Sequence, residues 1–263
     1  MKVLIHQGFH KTGTTTLQRT LVKNRARLRG RVNMLLPRDL QQAGFLAKRQ
    51  AIAPKAQTLQ RFDETVLAAL QSVPELTDRP LLISQEELAG VIPGRKGVWS
   101  YGQTPVLARH LVQAVMRLVG TQADITLFYT TRAPADWIRS TYWQNLRSQR
   151  VREDLQDYGA ALQAGADLEA VVARVRAQVG GQADVVSLNV SDCADRLAPL
   201  TRALSCLGLR CDDLEPVRDQ NIQPPGSAAQ LLALNRSDLT DAQVTAAKRD
   251  LLAALRDRPD QAR

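Results

Sequence analysis

The chain has 263 residues, 44% of them apolar and 4% aromatic, with 35 lysines and arginines against 26 acids and a net charge of +9. That length and apolar share suit one α/β domain with a largely aliphatic core, and they exclude a low-complexity chain or a small disulfide scaffold. The positive charge favours anionic partners, but the basic residues are spread along the chain without a compact block interleaved with aromatics, so no nucleic-acid partner is expected.

Val3-Leu4-Ile5 reads as a short buried strand, followed by Gly8-Phe9-His10-Lys11-Thr12-Gly13-Thr14-Thr15-Thr16 and a helix from about Thr15 to Leu28. A strand, a glycine-bounded loop with one lysine and a hydroxyl-rich helix start together aim backbone N–H groups and a helix dipole at one spot, which suits a phosphate-like anion. Gly8 and Gly13 keep the spacing of the nucleotide loop G-x-x-x-x-G-K-[ST], and Thr15 takes its hydroxyl place. The lysine does not fit: Thr14 stands where it belongs, and Lys11 lies inside the loop. In the ordinary loop the lysine reaches the β- and γ-phosphates and the hydroxyl holds Mg²⁺, so the shifted amine argues against ATP hydrolysis.

Further on, residues 33–60 hold helical pieces between Pro37 and Pro54, and Phe62 to Leu70 is a better helix. Pro80-Leu81-Leu82-Ile83-Ser84 is a second buried strand that ends in Gln85-Glu86-Glu87. Residues 91–103 form a glycine-rich loop whose Arg95, Lys96, Trp99 and Tyr101 either bind a sugar ring and its acid groups or simply line the surface. Pro105 to Val119 is helical, and Ile125 to Tyr129 is a strand ending at Thr130-Thr131-Arg132-Ala133-Pro134. Pro134 suits the first turn of a helix running to about Gln149. Tyr142 and Trp143 read as core, and the basic run Arg139, Arg147, Arg150, Arg152 as a solvated helix end.

Leu168 to Val179 is the next helix, Ala183 to Val190 a fourth strand and Leu197 to Leu207 a helix. A loop over 212–226 leads to helices at Ala228 to Leu234 and Asp241 to Leu255, with a frayed tail from about 256 to 263. This alternation predicts a three-layer α/β/α architecture with a central parallel sheet, in one domain spanning 1–263. Cys193, Cys206 and Cys211 show no CxxC spacing and read as reduced structural thiols. No charged and apolar leader and no membrane-length apolar run is evident, which gives the expectation of a soluble cytoplasmic protein without a membrane anchor.

The run from Gly8 to Thr15 resembles the 5′-phosphosulfate loop of sulfotransferases that use 3′-phosphoadenylyl sulfate (PAPS), in the Lys-Thr-Gly-Thr-Thr form of the carbohydrate and bacterial enzymes. Arg132 and Ser140 keep the spacing of that family's 3′-phosphate pair. The resemblance covers at least residues 2–145 and implies the family's P-loop-like fold, PAPS as co-substrate, adenosine 3′,5′-bisphosphate (PAP) as product and no metal. Donor contacts would come from Gly8, Phe9, His10, Lys11, Thr12, Gly13, Thr14, Thr15, Thr16, Arg132 and Ser140, and Lys11 would also be catalytic. The acceptor would be a carbohydrate or similar small molecule.

The resemblance further implies a glutamate base near the end of the second strand. The Ser-x-Glu pattern, which resembles that of bacterial members, favours Glu86 over Glu87, with the register open by one residue. Arg218 and Asn221 are candidates for the adenosine side, where this chain lacks the Arg-Lys-Gly loop of the cytosolic enzymes. The acceptor's identity and the oligomeric state are not legible. Two other classes stay open: a P-loop kinase or NTPase, for which the second strand and its acids would be a Walker-B element, and a non-catalytic nucleotide-binding protein.

Overall fold

The computed structural model describes residues 1–217 and 223–256. Among these, five strands form one sheet in the order β2-β3-β1-β4-β5. They are β1 (Lys2–His6), β2 (Asn33–Leu35), β3 (Leu81–Ser84), β4 (Asp124–Thr131) and β5 (Asp184–Asn189). Every pairing is parallel, with Ile5 opposite both Ile83 and Leu127, and Thr131 opposite Asn189. The expected α/β class with a central parallel sheet is therefore what the chain adopts. A fifth strand, β2, joins the four expected.

Parallel strands need crossovers, and helices supply them on both faces. Side-chain alternation divides the sheet cleanly. Leu4, Leu82 and Phe128 face α1 (Thr14–Lys23), α2 (Arg25–Leu28) and α9 (Ala198–Cys206), where Leu17, Leu21, Leu200 and Leu204 meet them. Val3, Ile5, Leu81, Ile83, Leu127 and Tyr129 face the opposite layer. That layer holds α3 (Gln41–Ile52), α4 (Ala56–Gln71), α5 (Thr104–Val119), α6 (Pro134–Ser148), α7 (Leu155–Leu162) and α8 (Leu168–Val179). In α5 the buried positions Leu107, Ala108, Leu111, Val112 and Val115 recur at helical spacing. The C-terminal helices α10 (Ser227–Arg236) and α11 (Asp241–Arg256) complete the described chain. None of the described helices is long and apolar enough to cross a membrane.

The helix expected from Thr15 to Leu28 is broken at Asn24. Its amide donates to the Thr20 carbonyl at 2.8 Å and to the Glu215 carbonyl at 2.9 Å, and its side-chain oxygen accepts from the Glu215 N–H at 2.9 Å. Lys23 and Arg27 add ion pairs to the Glu215 carboxylate. A residue that reads as helix interior thus docks the segment before residue 218. Arg218 and Asn221 lie outside the described residues, as does the tail beyond 256. The three cysteines are free and half-buried.

Candidate functional site

The carboxyl ends of β1, β3, β4 and β5 open on one edge, with β1 between strands reached by crossovers in opposite directions. Open α/β sheets bind ligands at such a switch point. Gln7, fully buried just past β1, ties this edge together. Its amide donates to the Leu88 carbonyl at 2.7 Å, and its oxygen accepts from the Tyr129 hydroxyl at 2.5 Å.

The loop from Gly8 to Gly13 is built from inside. Phe9 is buried between the rings of Tyr101 and Tyr129, at 4.7 and 5.2 Å between centroids. The hydroxyls of Thr12 and Thr14 both donate to the Phe9 carbonyl, at 2.7 and 3.2 Å, and Thr12 also meets Thr130 at 2.7 Å. Phe9, Thr12 and Thr14 are therefore buried supports of the loop, with their side chains turned away from its hollow. Lys11 sits in the left-handed region at φ 68°, a conformation that costs a non-glycine residue roughly 1 kcal/mol or more. Gly13, at φ 90°, starts α1 without any side-chain cap, so the N–H groups of the first turn and the helix dipole face the hollow of the loop.

Gly8 is required by close approach. A Cβ there would lie 2.6 Å from the Thr14 Oγ1 and 2.9 Å from the His6 Nε2. Thr14 is tied to Phe9, and His6 is tied through its Nδ1 to Ser84 at 2.9 Å. Gly8→Ala is accordingly expected to lower stability by about 1–3 kcal/mol through overpacking, read as a lower denaturant midpoint with unchanged slope.

Charged groups from four elements converge on this hollow. The Lys11 ammonium lies 5.7 Å from the centroid of the Trp143 ring, and the Arg147 guanidinium lies 4.6 Å from the same ring. Burial first, then Arg147 and Arg132, lower the Lys11 pKa, while Glu86 raises it. The Arg132 Nη1 donates to the Lys11 carbonyl at 3.5 Å, a long contact that brings the end of β4 onto the loop. Ser140 shares a face of α6 with Trp143 and Arg147, since positions three and seven apart coincide on a helix of about 3.6 residues per turn.

The two acids after β3 are in different circumstances. Glu87 is paired with Lys48 of α3 at 2.6 Å. Glu86 is half-buried, and burial followed by the Glu87 charge pushes its carboxyl up to about 7, against the pull of Lys11 and Lys48. His10 is held by Tyr101, whose hydroxyl accepts from the His10 N–H at 2.9 Å and lies 2.9 Å from its Nδ1. The Trp137 indole donates to the His10 carbonyl at 2.9 Å. Burial, with Arg95 next, pushes the imidazole down to about 3, so the ring is neutral at working pH.

Lys11, His10, Glu86 and Arg132 therefore share one cleft, with Ser140 on the α6 face that borders it. In the loop over 91–103, Tyr101 is 2% exposed and supports His10 in place of a surface sugar contact, whereas Trp99 is 45% exposed. Arg147 and Arg150 depart from a solvated helix end: Arg147 stacks on Trp143, and Arg150 donates to the carbonyls of Asn235 and Ser237 and pairs with Asp241. Lys48 and Gln7 carried no sequence signal. Arg147 carried one, its seven-residue spacing from Ser140. Among the described residues no group of three or more His, Cys, Asp or Glu side chains is placed to hold a metal ion.

No protein-family model matches the sequence, and no curated protein matches it. Among solved structures the chain is similar to a sulfotransferase from Alicyclobacillus acidocaldarius, at 15% identity and a TM-score of 0.45, over 96% of this chain and 98% of that one. Identity and superposition at that level leave the chemistry to be read from the residues themselves.

Proposed function

We propose that the chain is a PAPS-dependent sulfotransferase acting on a hydroxyl or amine of a carbohydrate or similar small acceptor. The carrying observation is that Lys11 and Arg132, far apart in sequence, meet in one hollow at the head of α1, with Glu86 the acid coupled to the Lys11 ammonium. Two cations and a helix start suit a ligand with anionic groups at two ends. In this reading the amides from Gly13 to Thr16 hold the 5′-phosphate, and Arg132 with Ser140 takes the 3′-phosphate.

The acceptor oxygen or nitrogen attacks sulfur in line as the bond from sulfur to the 5′-phosphate oxygen breaks. Its proton passes to the Glu86 carboxylate. The departing electron pair stays on the phosphate oxygen, where the Lys11 ammonium meets the growing charge. Glu87, paired with Lys48, keeps a like charge beside the base and so raises its proton affinity. His10 stays neutral and holds the loop.

Calorimetry tests the donor assignment. PAP is expected to bind without Mg²⁺ and in preference to Mg·ATP. Arg132→Ala is expected to weaken it by roughly 10- to 100-fold, the worth of one or two hydrogen bonds to a charged group. A preference for Mg·ATP, or unchanged PAP affinity in the variant, overturns the assignment.

A further inference from the structure

We propose that Tyr101 locks His10 in one tautomer, so that a neutral imidazole presents its Nε2–H to the sulfuryl oxygens of the donor; the identity of that ligand rests on the sulfotransferase reading. Three of the four polar groups of His10 are pinned. Its backbone N–H donates to the Tyr101 hydroxyl at 2.9 Å, its carbonyl accepts from the Trp137 indole at 2.9 Å, and its Nδ1 lies 2.9 Å from the same hydroxyl. The fourth, Nε2, meets no hydrogen-bonding partner among the described residues, and unlike the Nε2 of His6 it is not sealed from solvent.

The Tyr101 hydroxyl decides the tautomer. It has one proton to give, and it already accepts from a backbone N–H that can only donate. Tyr101 is buried against Phe9, and among the described residues Nδ1 is the only acceptor its proton meets. The phenol therefore donates to a bare Nδ1, and the neutral imidazole carries its own proton on Nε2. Protonating Nδ1 would strand the phenol proton without an acceptor. Burial acts in the same direction on both rings, lowering the imidazole pKa and raising that of the phenol.

The one lone pair of the ring thus faces Tyr101, which leaves His10 a donor and excludes it as the base. Its charged neighbours place what it donates to. Arg95, Glu87, Lys48 and Lys11 are the charges felt at the imidazole. Lys11 marks the leaving end of the reaction, and Glu87 with Lys48 flanks the base Glu86 at the accepting end. The ring is within the field of both ends, and the sulfuryl group passes between them. A neutral N–H there bonds sulfuryl oxygens without setting a further cation beside Lys11 and Arg95.

Ring ¹⁵N spectra of the unliganded full chain are expected to show a neutral His10 protonated at Nε2, its signals identified by their loss in His10→Ala. Tyr101→Phe is expected to turn that pattern into a mixture of the two tautomers. A protonated Nδ1 in the native protein, or an unchanged pattern in Tyr101→Phe, overturns the lock whatever the protein binds. Calorimetry with PAPS and PAP, which differ by the sulfuryl group, reads the contact in the absence of acceptor. His10→Ala is expected to weaken PAPS about tenfold or more, as one hydrogen bond to a charged group provides, and PAP by less than about twofold. His10→Gln keeps an N–H donor on a side chain of similar reach and is expected to restore most of the PAPS affinity. A merely structural role weakens both nucleotides alike; that result overturns the contact, as does unchanged PAPS affinity in His10→Ala. If neither nucleotide binds the native chain, the sulfotransferase reading falls together with the sulfuryl contact, and the spectra still judge the lock.

Discussion

Lys11→Ala is expected to lower the sulfuryl-transfer rate constant by about 10²- to 10³-fold, the loss that follows removal of one preorganised donor from a developing oxyanion. Two features argue for an effect on rate rather than on folding. The loop is held by backbone and threonine contacts that do not involve the ammonium: Thr12 and Thr14 on the Phe9 carbonyl, and Arg132 on the Lys11 carbonyl. The ammonium's neighbours Arg147 and Arg132 are cations that disfavour its charge. Glu86 favours it, so removing the ammonium sets lost attraction against relieved repulsion, and thermal stability is expected to change little. Steady-state kinetics beside a melting curve separates these outcomes, and unchanged turnover in a folded Lys11→Ala protein removes the residue from the mechanism.

The second large effect belongs to Glu86. Glu86→Gln is expected to reduce turnover by roughly 10²- to 10⁴-fold, the range for loss of a general base. The pH dependence has a definite sign. Glu86 accepts a proton only when ionised, and burial with the adjacent Glu87 charge places its pKa at about 7, so the rate falls as pH drops below that value. Lys48 pulls the pKa down and pairs with Glu87, so Lys48→Met is expected to move the acid limb to higher pH. Glu87→Gln removes a like charge and is expected to move it lower while retaining activity. Full activity in Glu86→Gln with loss in Glu87→Gln would transfer the role to the neighbouring acid.

The same coupling enters stability with the opposite sense to an ordinary salt-bridged carboxylate. A carboxyl whose folded pKa is raised favours the folded state at acid pH and withdraws that contribution as pH rises from its ordinary value towards about 7. An ionised Glu86 at neutral pH is therefore held there by the rest of the fold.

The strongly apolar strands and the longer helices were legible because burial on both faces leaves continuous aliphatic runs and helices bury one stripe. Val3-Leu4-Ile5, Leu81-Leu82-Ile83 and Leu168 to Val179 are such cases. β2 escaped because it is three residues long, opens with a poor strand former, Asn33, and sits at the sheet edge, where pairing to β3 outweighs local preference. α7 had a usable signal: Asp154 caps it by accepting from the Asp157 N–H, and Tyr158 and Leu162 repeat at helical spacing. The break at Asn24 was not readable locally, because its cause is Glu215, almost two hundred positions away.

Lys11, Glu86 and Arg132, which the fold brings together, were marked in the sequence by glycine spacing and strand-end position, whereas their supports were not. Lys48 and Gln7 act through partners on other elements, which only the folded chain brings close. Arg147 was hidden for a different reason. A run of arginines at a helix end resembles ordinary solvated charge until the ring beneath it is seen.

Two of the three tryptophans of the chain, Trp137 and Trp143, border this cleft. Trp143 lies against the Lys11 and Arg147 cations, Trp137 is bonded to the loop through the His10 carbonyl, and Trp99 is the partly exposed indole of the segment that also carries Arg95 and Tyr101. Two of the three indoles that dominate intrinsic fluorescence therefore lie beside the cleft. A titration that neutralises Lys11 or Arg147 alters the field at an emitting indole, so occupancy can be followed optically on the native polypeptide without a label.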